Sequence, residues 1–151
     1  MKRFRFKLQT LLDQRKAREQ QLQVELAQVM TDEARELALL RKLRRDLEAA
    51  CDGLAAALGR SASPIELARR DEHAKTLRDD VKVQRLTLQA VRERVDAKRT
   101  EVIAAMKERK VLETLRDNQE RAYLVEASKA EQNGLDEMAS LRYARTNSTS
   151  P

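Results

Sequence analysis

The stretch Gly59-Arg60-Ser61-Ala62-Ser63-Pro64-Ile65-Glu66 interrupts an otherwise helical pattern and decides the fold. It is the one concentrated set of helix-breaking residues in a chain of 151 that has three glycines and two prolines. Gly59 can take the left-handed conformation that ends a helix. Ser63 can accept from the free backbone N–H groups of a following helix, and Pro64 lacks the N–H that would go unpaired there. Glu66 can reach back to the cap residue. This reading gives a helix from about 4 to 59, a loop over 59–64, and a second helix from about 64 to 141.

Outward from that loop, apolar residues recur at alternating steps of four and three. On the N-terminal side the row is Leu8, Leu12, Arg15, Glu19, Leu22, Leu26, Val29, Glu33, Glu36, Leu40, Leu43, Leu47, Ala50, Leu54 and Ala57. On the C-terminal side it is Leu77, Val81, Gln84, Leu88, Val91, Val95, Lys98, Val102, Ala105, Arg109 and Leu112, after which Leu115, Tyr123 and Val125 are less regular. Such spacing puts one apolar stripe on each helix, and two stripes of this period supercoil against each other. A short loop between long amphipathic helices favours an antiparallel pair. The expected fold is therefore all-α: a long antiparallel two-helix coiled-coil hairpin with unequal arms, a single unit over 1–151. Paired outward from the loop, the N-terminus meets helix two near residue 120. Residues 123–145 then overhang, Gly134 weakens the helix there, and 146–151 read as a frayed tail.

Composition agrees. Charged residues make up 37% of the chain and aromatics only 3%, with no Trp, so the large side chains that fill a closed interior are scarce. The apolar fraction of 41% exceeds what a disordered chain carries. A net charge of +6 arises from 31 Lys and Arg against 25 Asp and Glu, with the signs interspersed. Arg41-Lys42-Leu43-Arg44-Arg45 reads as the solvated outer face of a helix. The lone Cys51 permits no internal disulfide. No signal-like segment or long apolar run is present, which reads as a cytoplasmic protein.

The inventory for catalysis is poor. His73 is the only histidine, no Cys/His cluster has metal-ligand spacing, and no glycine-rich phosphate loop exists. The chain is read as not an enzyme, with no cofactor, no metal and no small-molecule substrate. Phe4 and Phe6 among Lys2, Arg3, Arg5 and Lys7 have the types that stack on bases, but both rings fall where they would cover the open end of the hairpin. Nucleic acid is not an expected partner. Polar seam positions Arg15, Glu19, Glu33, Glu36, Gln84, Lys98 and Arg109 weaken the pair while fixing its register. Leu37, Leu39, Leu40 and Leu43 form a wider apolar face, either a further docking face or a local widening of the seam. Protein interaction is what remains.

Three segments carry a family resemblance. Phe4-Arg5-Phe6-Lys7-Leu8-Gln9-Thr10-Leu11-Leu12-Asp13-Gln14-Arg15 resembles the opening of the FliJ family, the coiled-coil component of the flagellar type III export apparatus. Lys110-Val111-Leu112-Glu113-Thr114-Leu115 and Leu135-Asp136-Glu137-Met138-Ala139 are similar to its later segments. The resemblance implies a non-enzymatic stalk that binds and stimulates the hexameric export ATPase ring. It also implies contact with the cytoplasmic domain of the export-gate membrane protein, escort of export substrate chaperones, and a cytoplasmic location peripheral at the inner-membrane export apparatus. ATPase contact would fall on Phe4, Phe6, Leu8, Leu11, Leu12, Leu112, Leu115, Leu135 and Met138. The alternatives are the equivalent stalk of a virulence type III injectisome and a generic coiled-coil scaffold.

Overall fold

A computed structural model describes residues 3–147. It contains two helices, α1 over Gln9–Gly59 and α2 over Pro64–Asn147, which pack against each other as an antiparallel hairpin, with no strand among the described residues. Leu, Ala, Glu, Gln, Arg and Lys dominate both, and these side chains lose little freedom in a helix. Two compact packing units divide the chain: Gln20–Ala104, which holds the connection, and the segments up to Glu19 and from Ala105.

Helix α1 starts at Gln9, later than the residue near 4 that its pattern suggested. Residues 3–6 have no regular structure, and Lys7 and Leu8 form a turn closed by Gln9 N–H donating to Phe6 C=O at 3.2 Å. The reason is a change of period. Arg3, Arg5 and Lys7 are exposed while Phe4 and Phe6 turn inward, an alternation of two that an extended segment satisfies and a helix cannot. At the other end, α2 continues past residue 141 and runs through Gly134 without a break. Thr146 and Asn147, expected to fray, are helical; the rest of the 146–151 tail lies outside the described residues.

The connection ends α1 with a Schellman arrangement. Ala62 N–H donates to Ala57 C=O at 3.1 Å and Ser61 N–H to Leu58 C=O at 3.2 Å. The left-handed residue is Ser61, at φ 54°, whereas Gly59 keeps an ordinary helical conformation, contrary to the expectation from sequence. The cap of α2 forms as expected, with Glu66 N–H donating to Ser63 Oγ at 3.3 Å. The Glu66 side chain does not close a capping box. Its carboxylate instead accepts from Arg60 at 2.5 Å and Arg70 at 3.1 Å. Gly53 explains where Arg70 can lie, since a Cβ there would stand 3.0 Å from the guanidinium.

Within Gln20–Ala104 the seam positions are the interior. Val29, Val91 and Val95 cluster with Leu26, and Leu40, Val81 and Leu88 with Leu37, Leu43 and Leu47. Ala57 and Ala74 are fully buried near the connection, where small side chains let the helices approach. Gln84 sits in the row and donates to Glu36 through both its backbone carbonyl and its carboxylate. Arg92–Glu33 at 3.2 Å and Lys98–Glu25 at 2.7 Å bridge the helices beside it. The wider apolar face resolves as local widening: Leu37 and Leu43 pack on the Leu40 cluster, while Leu39 stays outside. Arg41, Lys42, Arg44 and Arg45 are exposed, as a solvated face requires.

Two outcomes follow from this seam. Leu40 is 3% exposed and its neighbour Leu39 is 43% exposed, so Leu40→Ala should cost about 2–4 kcal/mol and Leu39→Ala less than about 0.5. Urea unfolding followed by circular dichroism measures both, and equal losses would mean the row is misassigned. The second concerns pH. The Glu25 hydrogen bond, then that of Glu101, holds the Lys98 ammonium above its usual range near 10.5. A cation so raised stabilises the fold below that value and loses its contribution as pH climbs through it. Lys98→Arg should therefore lose less stability than the native chain as pH rises above about 10, read as the shift in thermal midpoint. Parallel loss in both proteins would contradict the pairing.

Candidate partner-binding end

The unit formed by the segments up to Glu19 and from Ala105 carries both chain ends. Phe6, Leu12, Glu19 and Ala105 are its buried residues. Phe4 packs on Tyr123, with ring centroids 5.7 Å apart and planes inclined at 44°, a tilted geometry that aromatic quadrupoles favour. That contact confirms the pairing read from sequence, which brought the N-terminus to helix two near residue 120. It also supplies what the irregular Tyr123 was for: it continues the α2 row after Leu112 and the half-buried Arg116.

Ion pairs set the register here. Arg15 and Lys16 of α1 reach Glu108 at 2.7 Å and Glu113 at 3.7 Å on α2. At Glu19 the polarity reverses: its carboxylate, in a residue only 6% exposed, takes the guanidinium of Arg109, which also holds Glu113 at 2.7 Å. These hydrogen bonds, Glu19 first and then Glu113, raise the pKa of Arg109 further, so it is charged at every accessible pH. Slipping α1 by one turn would bring Lys16 to Arg109 in one direction and Glu19 to Glu113 in the other. Like charges then meet either way, which fixes the pairing. The sequence marked Arg15, Glu19 and Arg109 as register residues. It did not mark Glu108 and Glu113, whose role depends on which α2 turn faces Arg15 and Lys16.

The expected contact residues fall into three sets. Leu12 is 0% exposed and Phe6 is buried, so the hairpin itself covers them and neither reaches a second molecule while the seam is closed. A charge placed at Leu12 would disrupt packing before it reported on a partner. Leu8, expected to open the seam, is displaced from it by Phe6 and is exposed. Phe4, Leu11 and Leu112 are half-buried, and Leu115 is just exposed beside them. Leu135 and Met138, at 67% and 56% exposure, stand on the free stretch of α2, where every residue over 128–147 is exposed. Steps of three and four put Leu124, Ala127, Leu135 and Met138 on one face of α2 over 124–138, with Glu131 between them. Leu124 falls within the overhang expected over 123–145, and its alignment with Leu135 follows from α2 running without a break through Gly134.

Among the described residues no group of three or more His, Cys, Asp and Glu is placed to hold a metal ion. No helix among them is long and apolar enough to cross a membrane. Cys51 is half-buried and lies 3.9 Å from an Arg78 nitrogen, and His73 is exposed.

The buried carboxylate makes the two partners unequal. Arg109→Ala removes the guanidinium from a desolvated Glu19, whereas Glu19→Ala leaves Arg109 with Glu113. Thermal melts should show the larger loss for Arg109→Ala, and a double change of both to Leu should match or exceed the native midpoint. If Glu19→Ala is the more damaging change, the seam is not organised around this carboxylate.

A family model described as the flagellar FliJ protein matches residues 4–148. No curated protein and no solved structure shows a significant match to the chain. The match takes in the extended Phe4-Phe6 segment, both helices, their connection and the free stretch of α2, that is, nearly every feature described above. The chain belongs to the FliJ family of flagellar proteins, and is a component of the flagellar export apparatus.

Proposed function

We propose that this protein is the stalk of the flagellar export ATPase: its open end binds the hexameric ring and stimulates ring assembly and hydrolysis. The observation that supports this most directly is the free stretch of α2. A helix exposed on all sides over 128–147, yet bearing Leu135, Met138 and Leu141 and preceded by the exposed Leu124, has apolar surface that its own chain leaves uncovered. An amphipathic helix of this kind suits a groove or a ring lumen, with apolar anchors at helical spacing. Phe4 on Tyr123 and the Arg15, Lys16 and Glu19 ion pairs hold the base from which it extends.

In this reading Leu135 and Met138 are the anchors, Leu8, Leu11 and Leu115 form a surrounding rim, and Phe6 and Leu12 act only by keeping the end packed. The family resemblance adds contact with the cytoplasmic domain of the export gate and escort of substrate chaperones. The proposed location is the cytoplasm, peripheral at the inner-membrane export apparatus. None of these roles requires this chain to do chemistry.

The test mixes the full chain with the cognate export ATPase and follows ATP hydrolysis and ring formation. Native protein should raise both. Leu135→Glu with Met138→Glu should abolish the increase and weaken binding by about tenfold or more while leaving helicity intact, because both side chains are already in water. Stimulation that survives this pair of changes would remove the free stretch from the contact. A native chain that stimulates nothing would remove the stalk role.

A further inference from the structure

We propose that residues 60–64 are a device that enforces the intramolecular hairpin and bars a domain-swapped dimer with a second copy of this chain. The seam cannot make that choice. Glu36–Gln84, Glu33–Arg92 and Glu25–Lys98 would form equally well if α1 of one copy lay against α2 of another. In a swapped pair the connection straightens and one continuous helix runs through residues 60–64, so the segment that differs between the two states is the connection alone.

Its residues favour the bend on three counts. Pro64 is harmless as the first residue of α2, where its missing N–H has no partner to lose. Inside a continuous helix it would leave the Arg60 carbonyl without its donor, and its ring would collide with that carbonyl. Ser63, which precedes the proline, is turned away from helical conformation and uses its hydroxyl to cap Glu66 N–H at 3.3 Å, a bond that a straight helix would forfeit. Arg60 reaches Glu66 at 2.5 Å only because the chain folds back between them; six residues apart on a straight helix they face different sides. Against these stands Ser61 at φ 54°, a left-handed conformation in a residue with a Cβ. The hairpin is thus held by a proline that penalises the alternative and not by a connection that is itself relaxed.

An interior proline disfavours a helix by a factor on the order of 10², and a swapped dimer carries two, so Pro64→Ala should raise the dimerisation constant on the order of 10⁴-fold. The native chain, Pro64→Ala, and the combination Ser61→Ala, Ser63→Ala, Pro64→Ala are refolded at high concentration. Each is then diluted and weighed by light scattering, with helicity followed by circular dichroism. The native chain should have monomer mass, Pro64→Ala a mixture, and the combination mainly a dimer that persists after dilution, because separating swapped helices requires unfolding the seam. A helical combination variant that stays monomeric overturns the proposal, as does a dimer that falls apart on dilution, or a native chain already in persistent dimers. If the combination loses helicity, Pro64→Ala decides alone, since it keeps the Ser63 cap and the Arg60–Glu66 pair.

Discussion

A single row of interdigitating side chains between two antiparallel helices is the constraint on which everything else in this protein rests. With one partner each, α1 and α2 bury one face and leave the others in water, so the interior is one side chain wide. That geometry explains a composition with 37% charged residues and almost no aromatics: a narrow seam needs Leu, Val and Ala and has no volume for Trp. Apolar burial along it stabilises the pair without choosing among registers. The choice falls to the polar residues set into or beside the row, above all Glu19 with Arg109, and Gln84 with Glu36.

The two ends of the hairpin solve opposite problems. At the connection the chain must reverse, and it does so with a Schellman turn, a serine cap and a charge cluster in which Glu66 holds Arg60 and Arg70. At the open end nothing covalent holds the helices together. Phe6 closes the interior, Phe4 meets Tyr123, and three ion pairs within two turns of α1 tie it to α2. An end so fastened keeps the base of the free stretch of α2 from splaying.

Much of this was legible in sequence for physical reasons that differ by element. The seam positions were readable because a period of 3.5 residues survives in the spelling of a helix, and Leu12, Leu22, Val29, Leu40, Val81, Leu88 and Val95 all lie buried as their spacing required. The start of α2 was readable because Ser63 and Pro64 act on backbone groups within three residues. Leu8 was misplaced because the helix was carried back from the four-three row to about residue 4, through Phe4-Arg5-Phe6-Lys7, whose period is two. Gly59 was given the left-handed turn because glycine adopts it most cheaply, but the hydrogen bonds to Ala57 and Leu58 set the turn two residues later, at Ser61. Membership of the FliJ family was also readable, since its opening and closing segments stand where the hairpin ends.

By itself, the sequence determined that two long helices form, where they reverse and which residues face inward, because each follows from periodicity or from groups adjacent in the chain. Only the tertiary structure decided which apolar residues remain available to another molecule. Leu12 and Leu135 are both leucines on helical faces, yet one is fully enclosed and the other is two-thirds exposed. The difference lies in where α1 runs out against α2. That depends on the register of the whole pair, fixed by Glu19 with Arg109, 90 residues apart in the chain, and by the Phe4–Tyr123 contact.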